Sequence, residues 1–226
     1  MDTQAYTERF LRLLKLDTTV FQEMRDDPNA LIPAFIIAFV SFFLYGLGGW
    51  LWWVISDYPK KGKFFLESAF LGAIFATVLW VVWVGVAYSV LVNIFHVEAD
   101  IRRMLQACGL ATVPFALGLL MFIPGVNIGI GLAVLALAFL LMDIGIQVSV
   151  DADAGQVIAA TFAGLVVFCL VCSVLTQKDN GFAPGVFLFR TPASALADVT
   201  STVSSISRPT NVDVNKFINN ILRNAR

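Results

Sequence analysis

Charged side chains are scarce in this sequence: they make up 14% of its 226 residues, against about 25% in soluble domains. The net charge is only −1, so there is no basic surplus to bind nucleic-acid phosphates. Hydrophobic residues account for 58% of the chain, and the mean hydropathy is +0.81. This composition excludes a disordered chain, a disulfide-rich secreted module and a coiled coil, and it predicts a protein embedded in the lipid bilayer.

Residues that commonly carry chemistry are equally few. His96 is the only histidine, and there is no P-loop, zinc-protease motif, nucleophile elbow or pair of catalytic carboxylates. The cysteines Cys108, Cys169 and Cys172 lie in apolar stretches, where thiols serve as small core residues. We therefore expect a non-enzymatic protein with no cofactor and no metal; ligation of a pigment or metal by His96 is the alternative.

Five apolar segments are long enough to cross the hydrocarbon layer, which takes about 20 helical residues. Backbone amides in lipid need internal hydrogen bonds, so each segment is expected to be helical. The short connectors predict antiparallel neighbours, and Pro114 is expected to kink the third helix. The predicted fold class is all-α, an integral membrane bundle of five transmembrane helices at 31–55, 64–92, 104–123, 126–148 and 155–175.

The first 29 residues predict an amphipathic helix with a basic polar face that carries Arg9, Arg12 and Lys15. Such a helix suits the headgroup layer of a membrane, and packing on the protein's own surface is the alternative. The apolar face carries Tyr6, Phe10, Leu13 and Leu14.

A second short helix is expected to begin at Thr19, whose hydroxyl can cap it, and to end at Asp27-Pro28. Residues 177–226 are mostly polar but close with another amphipathic helix, whose apolar face carries Val214, Phe217, Ile218, Ile221 and Leu222. The chain thus divides into an interfacial region (1–29), a transmembrane domain (30–176) and a polar tail (177–226).

The N-terminus is predicted to be cytoplasmic. Basic residues are almost equally divided between the two sides of the membrane, so the positive-inside rule does not fix the orientation. The basic N-terminal helix favours the anionic cytoplasmic leaflet, and the predicted orientation depends on this preference. Trp50, Trp52 and Trp53 cluster where the first span leaves the membrane, as expected of an aromatic belt. Together with Arg9, Arg12 and Lys15 they are the predicted interfacial anchors.

Asp143 is unusual because a carboxylate inside a span is costly and usually has a partner or a task. Arg102 and Arg103 open the third span on the same side of the bilayer, so a structural ion pair with Asp143 is expected. The alternative is an ion or proton pathway that also uses Gln106 and Gln147.

Small residues recur at a four-residue spacing, which lets helices approach closely in lipid. Gly125 and Gly129 open the fourth span, and a ladder of Gly155, Ala159 and Ala163 runs along the fifth. This pattern suits packing inside one bundle or between chains, and the sequence leaves both open.

The third span resembles that of the Yip domain family, named for Ypt/Rab-interacting proteins. The resemblance is carried by Gly109 followed five residues later by Pro114, with Leu110 where tyrosine is common, and it covers residues 18–176. Eukaryotic members carry an acidic N-terminal segment with an Asp-Leu-Tyr-Gly-Pro motif. That segment is missing from this sequence, so the resemblance is to the prokaryotic five-span branch.

The resemblance implies a non-enzymatic integral membrane protein that self-associates, organises membranes or escorts membrane partners. The first hypothesis is therefore a scaffold that binds the lipid bilayer and forms homo-oligomers or binds other membrane proteins. Two alternatives are a small transporter or channel that uses Asp143, and an accessory subunit of a larger membrane complex.

Overall fold

The computed structural model describes residues 8–9, 11–13, 15, 17–55, 62, 65–123 and 127–176. The regular structure of these residues is entirely helical. Five helices are long and apolar enough to cross a membrane, which confirms the predicted fold class. Gly125 and the predicted C-terminal helix lie outside the described residues, as do Tyr6, Phe10 and Leu14.

Helix α1 (Thr19–Asp26) precedes the first span and turns Val20, Phe21 and Met24 into the core. The sequence predicted that the hydroxyl of Thr19 caps this helix, and it does not. Instead, the Asp17 carboxylate accepts hydrogen bonds from the Thr19 amide (3.0 Å) and hydroxyl (2.6 Å), because a charged oxygen is the stronger acceptor. The helix ends before Pro28, as predicted, since proline disfavours helical geometry in the residue before it.

The first two spans are α2 (Leu31–Ile55) and a helix that begins with a π-helical turn (Leu66–Leu71) and continues as α3 (Gly72–Asn93). In the π-helical turn, the Ser68 hydroxyl donates to the carbonyl of Gly46 at 3.1 Å, which ties the two spans together. His96 follows α3 with a φ of 55°, a left-handed conformation that turns the chain toward the next span.

The third span changes its winding in the middle. It begins as α4 (Ile101–Leu110), whose Arg102 amide is capped by the Asp100 carboxylate, and continues as a 3₁₀ helix (Val113–Phe122). The sequence predicted only a kink at Pro114. Because proline lacks an amide hydrogen, the α-helical ladder stops there, and the Phe115 amide bonds to Thr112 in 3₁₀ geometry.

The last two spans are α5 (Asn127–Gln147) and α6 (Ala154–Thr176). The third span lies at the centre of the bundle: 61% of it is buried, against 33–44% of the other four. Helix α2 packs mainly on the 3₁₀ segment, and α6 packs mainly on α3. Large apolar side chains on the outside of the bundle are exposed, as a lipid-facing surface requires, among them Ile36, Val78, Leu140 and Leu170.

Candidate functional site

Ion pairs link arginines and carboxylates within the N-terminal region. Arg9 binds Asp27 at 3.0 Å, and Arg12 binds Glu23 at 2.7 Å and Asp17 at 2.9 Å. Two predicted headgroup anchors, Arg9 and Arg12, thus have carboxylate partners within the protein. These contacts and the buried Leu13 favour the alternative in which the segment packs on the protein's own surface. Lys15 is exposed.

Hydrogen bonds from Thr19 and Arg12 lower the pKa of Asp17 to about 2. A hydrogen bond from Arg25 likewise lowers the pKa of Asp26. In turn, hydrogen bonds to Glu23 and Asp17 raise the pKa of Arg12.

These shifts predict a pH dependence. An aspartate in an unfolded chain has a pKa of about 3.9, so Asp17 stabilises the folded segment fully above about pH 5 and ceases to do so as the pH falls through about 2. Asp26 acts in the same direction. We expect the amide protection of residues 17–26, measured by hydrogen exchange and corrected for intrinsic rates, to fall only below about pH 4. Asp17→Asn should flatten that fall, and an unchanged profile in this variant would contradict the assignment.

Three side chains attach this N-terminal cluster to the bundle through backbone carbonyls. Arg25 donates to the carbonyl of Val148, between α5 and α6. Arg102 donates to Pro28 at 2.7 Å, and Gln106 donates to Asp27 at 2.9 Å. The N-terminal region therefore lies at the end of the bundle that holds the start of α4 and the α5–α6 connection.

The intramembrane polar group centres on Thr161 of α6, a residue that sequence reasoning missed. Its carbonyl accepts a hydrogen bond from the Trp83 indole of α3 at 2.9 Å. Its hydroxyl lies 2.8 Å from the Val157 carbonyl and 3.3 Å from a carboxylate oxygen of Asp143. In the sequence Thr161 stands next to the small residue Ala160, and no pattern there indicates that it contacts both Trp83 of α3 and Asp143 of α5.

The structure does not bring Asp143 to Arg102 or Arg103. Arg102 reaches Pro28, and Arg103 lies 4.0 Å from Asp100 in its own helix turn. Within the described residues, Asp143 therefore has a hydroxyl partner in place of the expected guanidinium. The pathway residues are also apart, because Gln106 binds Asp27 and Gln147 binds the Ala152 carbonyl at 2.9 Å.

The Gly109–Pro114 spacing has a physical explanation. A Cβ at Gly109 would overlap Ala34, so glycine lets α4 meet the α2 backbone. The carbonyl of Gly109 accepts the Thr112 hydroxyl at 2.7 Å, and buried Pro114 follows at the second residue of the 3₁₀ helix. The motif thus combines close helix contact with the change of winding.

The glycines of the spans include two contrasting groups. A Cβ at Gly46, Gly48, Gly109, Gly118 or Gly164 would collide with a neighbouring helix, so these glycines close the bundle. A Cβ at Gly129 or Gly155 would meet none of the described residues within 4 Å. Gly155 and Ala159 are exposed on α6 and Ala163 is partly buried, so much of the predicted ladder faces outward.

The remaining predicted site residues are the tryptophans near the end of α2 and His96. Trp50 and Trp52 are partly buried near the end of α2, and the side chain of Trp53 lies outside the described part. His96 is exposed. Among the described residues, no three His, Cys, Asp or Glu side chains come close enough to hold a metal ion.

Comparison with known proteins identifies the family. No curated protein and no solved structure matches the chain. The family model of the Yip1 domain matches residues 13–176, which include α1, all five spans and the Gly109–Pro114 motif. The chain therefore belongs to the Yip1 domain family of multi-pass membrane proteins.

Proposed function

We propose that this protein is a non-enzymatic membrane scaffold that self-associates and binds lipids and other membrane proteins. The observation that carries the proposal is the outward orientation of small residues on α6. We call the surface formed by Gly155, Ala159, Phe162 and Val166 the α6 outer face. All four residues are exposed, and they recur at the spacing of one helix face.

Small residues on a lipid-facing helix favour contact with another helix. Two helices gain no hydrophobic free energy by leaving lipid for each other, so close backbone approach and dispersion contacts drive their association. Gly155 and Ala159 permit that approach, and Phe162 and Val166 form a ridge beside them. The inward glycines already contact neighbouring helices of the bundle, whereas no described residue fills the space beside Gly155.

A second copy of the chain fits this surface. Most homo-oligomers form symmetric dimers in which the same patch of both copies meets, and a helix face with shallow and raised parts can pair with itself. The described part of the N-terminal region bonds to the bundle at Val148 and on α4, and Gly155 and Ala159 are exposed.

The test uses two full-length copies with different affinity tags, co-expressed and purified in mild detergent. We expect the second tag to co-purify with the first. Gly155→Leu combined with Ala159→Leu should reduce this by about tenfold, because large side chains keep the two helices apart. Both sites face outward, so the bundle itself should stay folded.

Val78→Phe is the matched control, since it adds bulk to a lipid-exposed position of α3, away from the α6 outer face. It should leave co-purification unchanged. Absence of co-purification in the wild type, or full co-purification of the Gly155→Leu, Ala159→Leu variant, would contradict the proposal.

A further inference from the structure

Asp143 lies inside the fourth span, in line with a strip of exposed residues on α5. It is four residues, or about 6 Å, before the last residue of α5. Leu140 and Ala136 lie one and two turns earlier on the same helix face, and both are exposed. The Asp143 side chain is only partly buried, so it borders the outer surface of the bundle.

Thr161 does not satisfy this carboxylate. An ionised carboxylate accepts about four hydrogen bonds, whereas a threonine hydroxyl supplies one hydrogen. That hydrogen has a nearer acceptor in the Val157 carbonyl, at 2.8 Å against 3.3 Å to Asp143. Asp143 therefore receives at most a share of one hydrogen bond from the described residues.

The described arginines on the same side of the bundle have partners of their own. Arg102 binds Pro28, Arg25 binds Asp26 and Val148, and Arg103 faces Asp100. Within the part of the chain that the structure describes, the Asp143 carboxylate has no ion-pair partner. At the centre of a span an unpaired carboxylate costs about 2.5–3.5 kcal/mol on insertion scales, and Asp143, nearer the end, carries a smaller cost that a cationic partner or water relieves.

We propose that Asp143 binds a lysine or arginine presented by a transmembrane helix of another membrane protein. The negative carboxylate complements a cation held at the same depth, about 6 Å inside the end of the span. This inference rests on the proposed function and specifies the chemistry of its partner.

A helix fits this position better than a lipid amine does. The surface near Asp143 is apolar and exposed on both helices, with Leu140 and Ala136 on α5 and Ile158 on α6. A partner helix can cover these side chains while its cation reaches the carboxylate. A headgroup amine lies at the membrane surface and supplies no comparable apolar contact.

The experiment measures binding of a model helix to the full-length chain in phosphatidylcholine vesicles, by energy transfer from a fluorescent protein at the C-terminus to a dye on the helix. The helix has about 20 leucine and alanine residues, uncharged ends, and one lysine about 6 Å inside one end. A second helix has leucine in place of the lysine. We expect the lysine helix to bind about tenfold more tightly than the leucine helix.

The preference for lysine should disappear in Asp143→Asn and persist in Asp151→Asn, which removes an exposed carboxylate from the α5–α6 connection. Equal binding of both helices to the wild type overturns the inference without any variant. A preference that survives Asp143→Asn, or one that phosphatidylethanolamine competes away, overturns it too. Self-association is measured separately by co-purification, so the proposed function and this inference can fail independently.

Discussion

Gly109→Leu is expected to prevent tight packing of the bundle and to lower the free energy of unfolding by about 3 kcal/mol or more. A Cβ at this position would overlap the Cβ of Ala34 and come within 2.6 Å of its Cα. The obstacle is backbone at the centre of the molecule, where α4 meets α2, so no side-chain rotation relieves it. Unfolding in sodium dodecyl sulfate, followed by circular dichroism, measures the loss.

Gly129→Leu is the matched control for this variant. It introduces the same side chain into a span, at a position where a Cβ would meet none of the described residues within 4 Å. Its stability should match the wild type. Gly109→Ala combined with Ala34→Gly removes the overlap of the two Cβ atoms but leaves the 2.6 Å contact, so it should recover only part of the loss. Equal stability of Gly109→Leu and Gly129→Leu would show that α4 does not pack on α2 in this way.

Trp83→Ala is expected to cost about 3–5 kcal/mol, the usual range for removing a buried tryptophan. The indole is 1% exposed, lies against Gly164 of α6 and has its ring centre 5.4 Å from that of Phe168. Its N–H donates to the Thr161 carbonyl. Because α6 packs mainly on α3, loss of this side chain should loosen α6 most.

Trp80 provides the comparison that isolates the hydrogen bond. It is as buried as Trp83, but its indole nitrogen has no hydrogen-bond partner among the described residues. Both Trp→Phe substitutions remove similar apolar volume, and only Trp83→Phe removes a hydrogen bond. Trp83→Phe should therefore destabilise the protein by about 1 kcal/mol more than Trp80→Phe. If the two variants lose equal stability, the Trp83–Thr161 contact contributes nothing.

Hydropathy located the spans because the bilayer imposes one dominant requirement, an apolar segment of about 20 residues. The first span was predicted at 31–55 and observed at Leu31–Ile55. The 3₁₀ winding after Ala111 was not predicted, because Pro114 signals only an interrupted ladder. How the chain continues depends on Thr112 and on packing against α2.

The rotation of each helix about its axis was beyond the sequence. A helix that is apolar all round has no distinct hydrophobic face, so neither the direction of Asp143 nor that of Gly155 could be read from periodicity. For this reason the sequence predicted that Asp143 pairs with Arg102 or Arg103, whereas in the structure Asp143 contacts Thr161. Similarly, Gly155 and Gly164 are both glycines of α6, but Gly155 faces outward and Gly164 faces Trp83.

The N-terminal arginines illustrate a different limit. Their spacing correctly placed basic residues along one stretch of the chain, but the acids that pair with them come from α1 and the residues beside it. Helical periodicity describes one helix at a time, so it does not reveal carboxylates that come from another segment of the chain.

The most direct test of the central claim is energy transfer between two differently labelled full-length copies in lipid vesicles, measured as the protein is diluted into more lipid. Association through the α6 outer face predicts transfer that stays on a plateau as protein density falls, and loss of that plateau in the Gly155→Leu, Ala159→Leu variant. Transfer that falls in proportion to density in the wild type, as for randomly distributed single chains, would contradict the account.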